Sequence, residues 1–224
     1  MNRFIAALLL AGLTIGAPMA ASAEKAVCLV CKVKEGATHA ETVEASRTHD
    51  GIRYGFCSEK CAKEFDADPM AFLPPKFPRP APALNLTDLE GKALRSSLEG
   101  NVVLVDFWAT WCAPCLKSMP ELQALHDRYS GRGFVVVGIS IDEKTSATDQ
   151  VDVQVKKFVS KKKITYPIAI DSQAPSVWEQ YRVKAVPAAF LLDRRGQIVA
   201  QWSGKPPKAT EIEKELTALL RDSG

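Results

Sequence analysis

The chain has little excess charge of either sign. Its 29 Lys and Arg against 26 Asp and Glu leave a formal net charge of +3, and no basic stripe gathers the positive residues. Nucleic-acid binding therefore gains no support, and Lys161–Lys163 reads as the solvated end of a helix. There is no internal repeat and no low-complexity tract. With 46% hydrophobic and 25% charged residues over 224 positions, wholesale disorder is excluded and a buried core is within reach. An uninterrupted apolar run of about 18 to 20 residues, the length of a membrane span, is also missing. The run that opens at Phe4 is broken by Gly12, Thr14, Gly16 and Pro18.

What stands at the N-terminus instead is Arg3, the apolar stretch Phe4–Leu13, and Ala21-Ser22-Ala23. These are the parts of a secretory signal peptide, predicting cleavage after Ala23, a mature start at Glu24 and export to the periplasm. The competing reading is a retained membrane anchor. No cysteine follows the cleavage site, so no lipid anchor is indicated. Export matters because all six cysteines, at 28, 31, 57, 61, 112 and 115, then lie in an oxidising compartment where disulfides persist.

Residues 74–82, PPKFPRPAP, hold five prolines in nine positions. Proline removes backbone donors and favours extended chain, so 74–83 is expected to be a linker rather than an element. The boundary falls near Pro78, between a cysteine-rich segment (24–73) and a larger one (84–224). In the larger segment NVVLVDFWA (101–109) and GFVVVGISI (133–141) read as strands buried on both faces. A helix is expected from Ala113 to Tyr129, and an amphipathic one over 151–161. AAFLLD (188–193) and QIVAQWSG (197–204) form a hairpin. Thr210-Glu211-Ile212-Glu213 resembles a capping box opening a last helix to about Leu220. The class is α/β, a sheet with helices on both faces.

Cys112 and Cys115 follow a buried strand and open a helix. A thiol at a helix N-terminus meets unpaired N–H groups and the positive end of the macrodipole, which favour thiolate, the nucleophilic form. The spacing puts the second sulfur within a turn of the first, so Cys112 attacks and Cys115 resolves. A structural disulfide or half of a zinc site are the plainer alternatives. VDFWATWCAPC (105–115) followed by LKSMPEL (116–122) resembles the TlpA/ResA branch of thioredoxin-like proteins, exported thiol–disulfide oxidoreductases, over roughly 84–224. The resemblance implies a thioredoxin-like fold, a central mixed sheet flanked by helices, with no organic cofactor. It implies that Val186-Pro187 is the family's cis-proline loop beside the cysteines. Trp111, Ala113, Pro114 and Val186 would then contact the substrate chain, and a membrane partner would supply electrons. It places Asp106 behind the resolving cysteine. A carboxyl within VVLVDFWA is costly unless protonated or paired, so Asp106 is expected either as a desolvated base for Cys115 or as a strand-end carboxylate reaching solvent. VVVGISID (135–142) also occurs in peroxiredoxin-like chains, but ATWCAPC lacks the proline before the attacking cysteine, which argues against a peroxidase.

The first cysteine cluster differs. Cys57 and Cys61 stand four apart, with Ser58 a good N-cap, so both sulfurs share one helix face. Cys28 and Cys31, in VCLVCKV, read as a tight loop pair. Together the four offer soft thiolates suited to zinc or copper. YGFCSEKCAKEFDADPMAFL resembles YHS/TRASH-type metal-binding modules over residues 26–73. That resemblance implies Cys31, Cys57 and Cys61 as ligands, with Cys28 an additional candidate. Two disulfides or a second redox pair remain alternatives, since a fifty-residue segment needs staples for stability alone. His39 and His49 read as surface residues rather than ligands, and His126 as exposed or packing. Two functions follow: an oxidoreductase acting on protein thiols and disulfides, with copper or haem proteins as suggested clients, or a metal-handling protein whose larger domain is a scaffold or keeps the metal cysteines reduced.

Overall fold

The computed structural model describes residues 24–142, 150–171 and 175–221. The expected signal peptide, residues 1–23, lies outside them. The chain divides between Pro74 and Pro75 into two compact units.

In the first unit, β1 (Lys25–Ala26) leads into α1 (Leu29–Glu35), and β2 (Glu41–Thr42) returns antiparallel to β1. A hairpin follows, β3 (Ala45–His49) and β4 (Ile52–Phe56), and then α2 (Glu59–Ala67). Asp50 and Gly51 turn the hairpin at φ 51° and 76°, the left-handed pair that a two-residue turn requires. Cys28 is the N-cap of α1 and Cys31 lies in its first turn, so the first cysteine pair is helical and not a loop. Ser58 caps α2, accepting from the Cys61 N–H at 3.3 Å. Arg47 reaches from β3 to Glu59 and Asp66 and fastens the hairpin to α2. The small core holds Cys28, Val30, Phe56, Ala62 and Phe65, with the Phe65 ring against Tyr54, Phe56 and Phe72.

The second unit begins with β5 (Arg79–Pro80) and α3 (Arg95–Leu98), then β6 (Val102–Trp108), α4 (Ala113–Tyr129) and β7 (Phe134–Ser140). It continues with α5 (Gln150–Lys162), β8 (Ile168–Ile170), α6 (Val177–Gln180), β9 (Ala188–Leu192), β10 (Gln197–Ser203) and α7 (Ala209–Arg221). The sheet order is β5-β10-β9-β6-β7-β8, with β6, β7 and β8 parallel and β9, β10 and β5 antiparallel. β6 is central and buried throughout, and alternation sends its side chains to two cores. Val102, Leu104 and Trp108 join Met119 and Leu122 of α4 and Ile212 and Leu216 of α7. Val103, Val105 and Phe107 join Leu94, Val177 and Tyr181 on the other face. The fold is thioredoxin-like, a mixed sheet flanked by helices.

Two further expectations need correction. Arg79–Pro80, expected in the linker, is an edge strand paired with Gln197–Ile198, a place where proline's missing donor does no harm. The last helix starts at Ala209, so Thr210 lies inside it. Lys208 precedes the helix, and its N–H donates to the Glu211 carboxylate at 3.3 Å. The capping box that does form is Ser176 with Glu179, at α6.

Candidate functional site

β6 ends at Trp108, and the chain turns through Ala109–Trp111 into α4. Cys112 is the N-cap and Cys115 lies in the first turn, its N–H donating to Cys112 Sγ at 3.3 Å. Pro114 sits where a helix has no use for a donor. The two cysteines form a disulfide with Cα atoms 5.3 Å apart. Their surroundings differ. Cys112 retains 4% of its surface and follows Trp111, which is 68% exposed, whereas Cys115 is wholly buried.

Asp142 holds the turn in place. Its carboxylate accepts from Thr110 N (3.0 Å), Thr110 Oγ1 (2.6 Å) and Ser140 Oγ (2.6 Å). The Val186–Pro187 peptide bond is cis, and Gly204 N donates to Pro187 O at 3.1 Å. Trp111, Ile141, Asp171, Trp178, Lys184, Ala185 and Val186 line one cleft of about 400 Å³. Of the expected substrate contacts the cleft brings together Trp111 and Val186. Ala113 and Pro114 are exposed on the first turn of α4 and are not part of its lining. Asp171 and Trp178 escaped sequence reasoning. Asp171 follows a three-residue strand and accepts from Val177 N and Trp178 N (3.0 and 2.8 Å), an end-cap for α6 with no sequence signature.

Asp106 stands mid-strand, in register with Gly138 on β7 and Ala189 on β9. It is 2% exposed, its Oδ2 has no hydrogen-bond partner among the described residues, and it does not reach solvent. Burial pushes its carboxyl up to about 7. Alternation along β6 aims it at the face covered by α4, where Cys115 is buried. His126 is half-buried, its Nδ1 accepting from Val136 N at 3.3 Å.

In the first unit the Sγ atoms of Cys28, Cys31, Cys57 and Cys61 all lie within 4.8 Å of one another, a spacing that among the described residues belongs to this quartet. Cys31 to Cys57, Cys57 to Cys61 and Cys31 to Cys61 measure 3.5, 3.7 and 3.9 Å. A tetrahedron of thiolates at zinc–sulfur distances of about 2.3 Å has edges of about 3.8 Å, so the donor set fits a single ion. All four are free cysteines. Burial works to raise the Cys28 pKa, but backbone N–H groups of Cys31 and Cys57 outweigh it and bring the thiol down to about 7. Hydrogen bonding to Cys57, then burial, raises Cys31, and burial pushes Cys57 up to about 11. His39 pairs with Glu41, and His49 lies edge-on to Phe65; neither joins the quartet.

Residues 78–201 match the model of the AhpC/TSA family. The chain is 36% identical over 129 residues to the thiol-disulfide oxidoreductase ResA of Bacillus anthracis, covering 57% of this chain and 70% of that one. It is 33% identical over 140 residues to ResA of Geobacillus kaustophilus, covering 62% and 75%. A crystal structure of a thiol:disulfide interchange protein, thioredoxin family protein, from Chlorobium tepidum TLS superposes with a TM-score of 0.55 at 25% identity, over 66% of this chain and 99% of that one.

Proposed function

We infer, for a chain that belongs to the AhpC/TSA family and is a thioredoxin-fold thiol–disulfide oxidoreductase of the TlpA/ResA type, that Cys112 is the attacking sulfur and Cys115 the resolving one. The observation that carries this assignment is the asymmetry of the pair: Cys112 keeps some surface beside an exposed tryptophan, and Cys115 is wholly buried in the core on the face of β6 that carries Asp106. Cys112 thiolate attacks a substrate disulfide and releases one substrate sulfur as thiolate, which takes up a proton. Cys115 then attacks Cys112 of the mixed disulfide, its proton passing to Asp106, and the second substrate thiolate leaves. The products are a reduced substrate and the Cys112–Cys115 disulfide. Asp106 suits its part because a carboxyl raised to about 7 accepts a proton readily near neutrality. Trp111 and Val186 flank the substrate chain, and Pro187 presents backbone beside the disulfide without an N–H to obstruct it.

The substrates are proteins of the periplasm, an assignment supported by the leader-like sequence of residues 1–23, and a membrane donor returns the enzyme to its dithiol form. No described helix is long and apolar enough to cross a membrane. Reduction of a peptide disulfide by the wild type and by Cys112→Ser tests the assignment. Full activity in the variant refutes it.

A second role rests on the sulfur quartet. Cys28, Cys31, Cys57 and Cys61 would hold one soft ion, zinc or Cu(I), which would tie α1 to α2 and the end of β4. Copper or haem proteins, whose ligand cysteines must be reduced before loading, are the clients that such a pairing of activities favours.

A further inference from the structure

Three buried polar atoms of the second unit, Asp106 Oδ2, Trp108 Nε1 and Tyr166 Oη, have no hydrogen-bond partner among the described residues, and their side chains all border Gly138. Orphaned buried polar atoms are rare in folded proteins, and three together call for a reason. Gly138 is the residue that all three side chains border. It pairs with Asp106 in the β6–β7 register. A Cβ built on it would lie 3.1 Å from Trp108 Nε1, 3.3 Å from Tyr166 Cε2 and 2.5 Å from Ile168 Cδ1. The bare backbone of Gly138 therefore lets an indole N–H and a phenol ring close over the strand beside Asp106. Tyr166 feels its neighbour: burial first, and then the charge of Asp106, raise its phenol well above the usual range.

We propose that Tyr166 and Trp108 are positioning residues for Asp106, offering Oη–H and Nε1–H to its carboxylate as it loses its proton and so stabilising the ionised form inside the core. The proposal rests on the reading of Asp106 as the base for Cys115, and extends it by naming what lets the base carry charge there. Burial is the cause of the Asp106 shift, and no charged neighbour among the described residues contributes to it. β7 contributes Gly138 and β9 Ala189 in register. α4 contributes Cys115 and Met119, α5 Val155 and Phe158, and α7 Ile212 and Leu216 to the same core. His126 touches the Tyr166 ring, with centroids 6.0 Å apart, and burial lowers its pKa. Lys162 Nζ reaches the Phe158 ring, 5.9 Å from its centroid.

The test is a carbon-13 titration of the Asp106 carboxyl in the disulfide form, where neither Cys112 nor Cys115 titrates. Tyr166→Phe removes one hydroxyl and should raise the midpoint by about one unit, the tenfold equivalent of one hydrogen bond to a charged group. Gly138→Ala keeps every polar group but forces the indole and phenol away, and should move the midpoint in the same direction. A midpoint unchanged in Tyr166→Phe, with the native near-ultraviolet dichroism retained, overturns the proposal. Asp106→Asn separates the two ideas. If it leaves resolution of the mixed disulfide at the wild-type rate while Tyr166→Phe still moves the carboxyl midpoint, the base assignment falls and the positioning of Asp106 stands.

Discussion

Cys112 and Cys115 differ in what can reach them, so their serine variants should fail differently. Cys112→Ser has no attacking sulfur and should lose disulfide reduction by at least about a thousandfold, the scale of a lost nucleophile. Cys115→Ser still attacks but cannot resolve, and should accumulate a covalent adduct with substrate, visible as a mass increase that a small thiol removes. Asp106 makes a prediction about stability. Its pKa is about 7 when folded against 3.8 for an unperturbed carboxyl, so the folded state binds the extra proton between those values and stability falls as pH rises through that window. Three units at 1.36 kcal/mol each set the penalty at about 4 kcal/mol above pH 7. Asp106→Asn should therefore resist urea better than the wild type at pH 8 and differ little in this respect at pH 4; the opposite ordering would mean that Asp106 is ionised and paired in the fold. That a carboxyl inside VVLVDFWA must be special could be read from the sequence, because burial of the strand follows from its composition. Tyr166 could not, because its place over Gly138 depends on a parallel register that local pattern does not encode.

At the scale of elements, the turn between β6 and α4 is shaped by hydrogen bonds to a carboxylate thirty-two residues away. Asp142→Ala would leave the Thr110 N–H and the Thr110 and Ser140 hydroxyls without their acceptor in a nearly closed site. A loss of about 2–4 kcal/mol in urea unfolding is expected, together with altered alkylation of reduced Cys112, whose backbone hangs from the same turn. Thr110→Val, which keeps the N–H bond, should lose less. Long elements were legible because their signals are long. β6, β7 and α4 declare themselves through continuous apolar runs or helical spacing, and β9 with β10 through a hairpin turn. β5, β8 and α6 were not, at two, three and four residues. Nothing periodic can be read over so few positions, and they form because neighbouring strands and the Asp171 carboxylate are already in place. The shifted cap of α7 has the same origin. Thr210 is the better capping residue by type, but the helix begins earlier, where Glu211 meets the N–H of Lys208.

At the scale of the molecule, the two units have separate cores, and those cores differ in what they need. The second unit packs both faces of a six-stranded sheet. The first has few fully buried side chains, Cys28 among them, beside three further cysteines. A fifty-residue segment with so small a core is marginal without a staple, and metal binding to a thiolate quartet is itself folding energy. Sequence spacing pointed to Cys57 and Cys61 as a pair but not to how the 25 residues between Cys31 and Cys57 would close. The β3–β4 hairpin, pinned to α2 by Arg47, closes them. The chain loaded with zinc should therefore respond to a strong chelator in one unit alone. Amide exchange across residues 24–73 should accelerate, while residues 84–142 keep their protection and the Cys112–Cys115 pair exchanges disulfides at a rate within about twofold of the loaded protein, as expected for independent sites. Cys57→Ser with Cys61→Ser should show the fast exchange without chelator and lose the thiolate-to-metal absorption that cadmium gives with the wild type. Equal protection of residues 24–73 with and without metal would mean that the four sulfurs do not stabilise this unit through an ion.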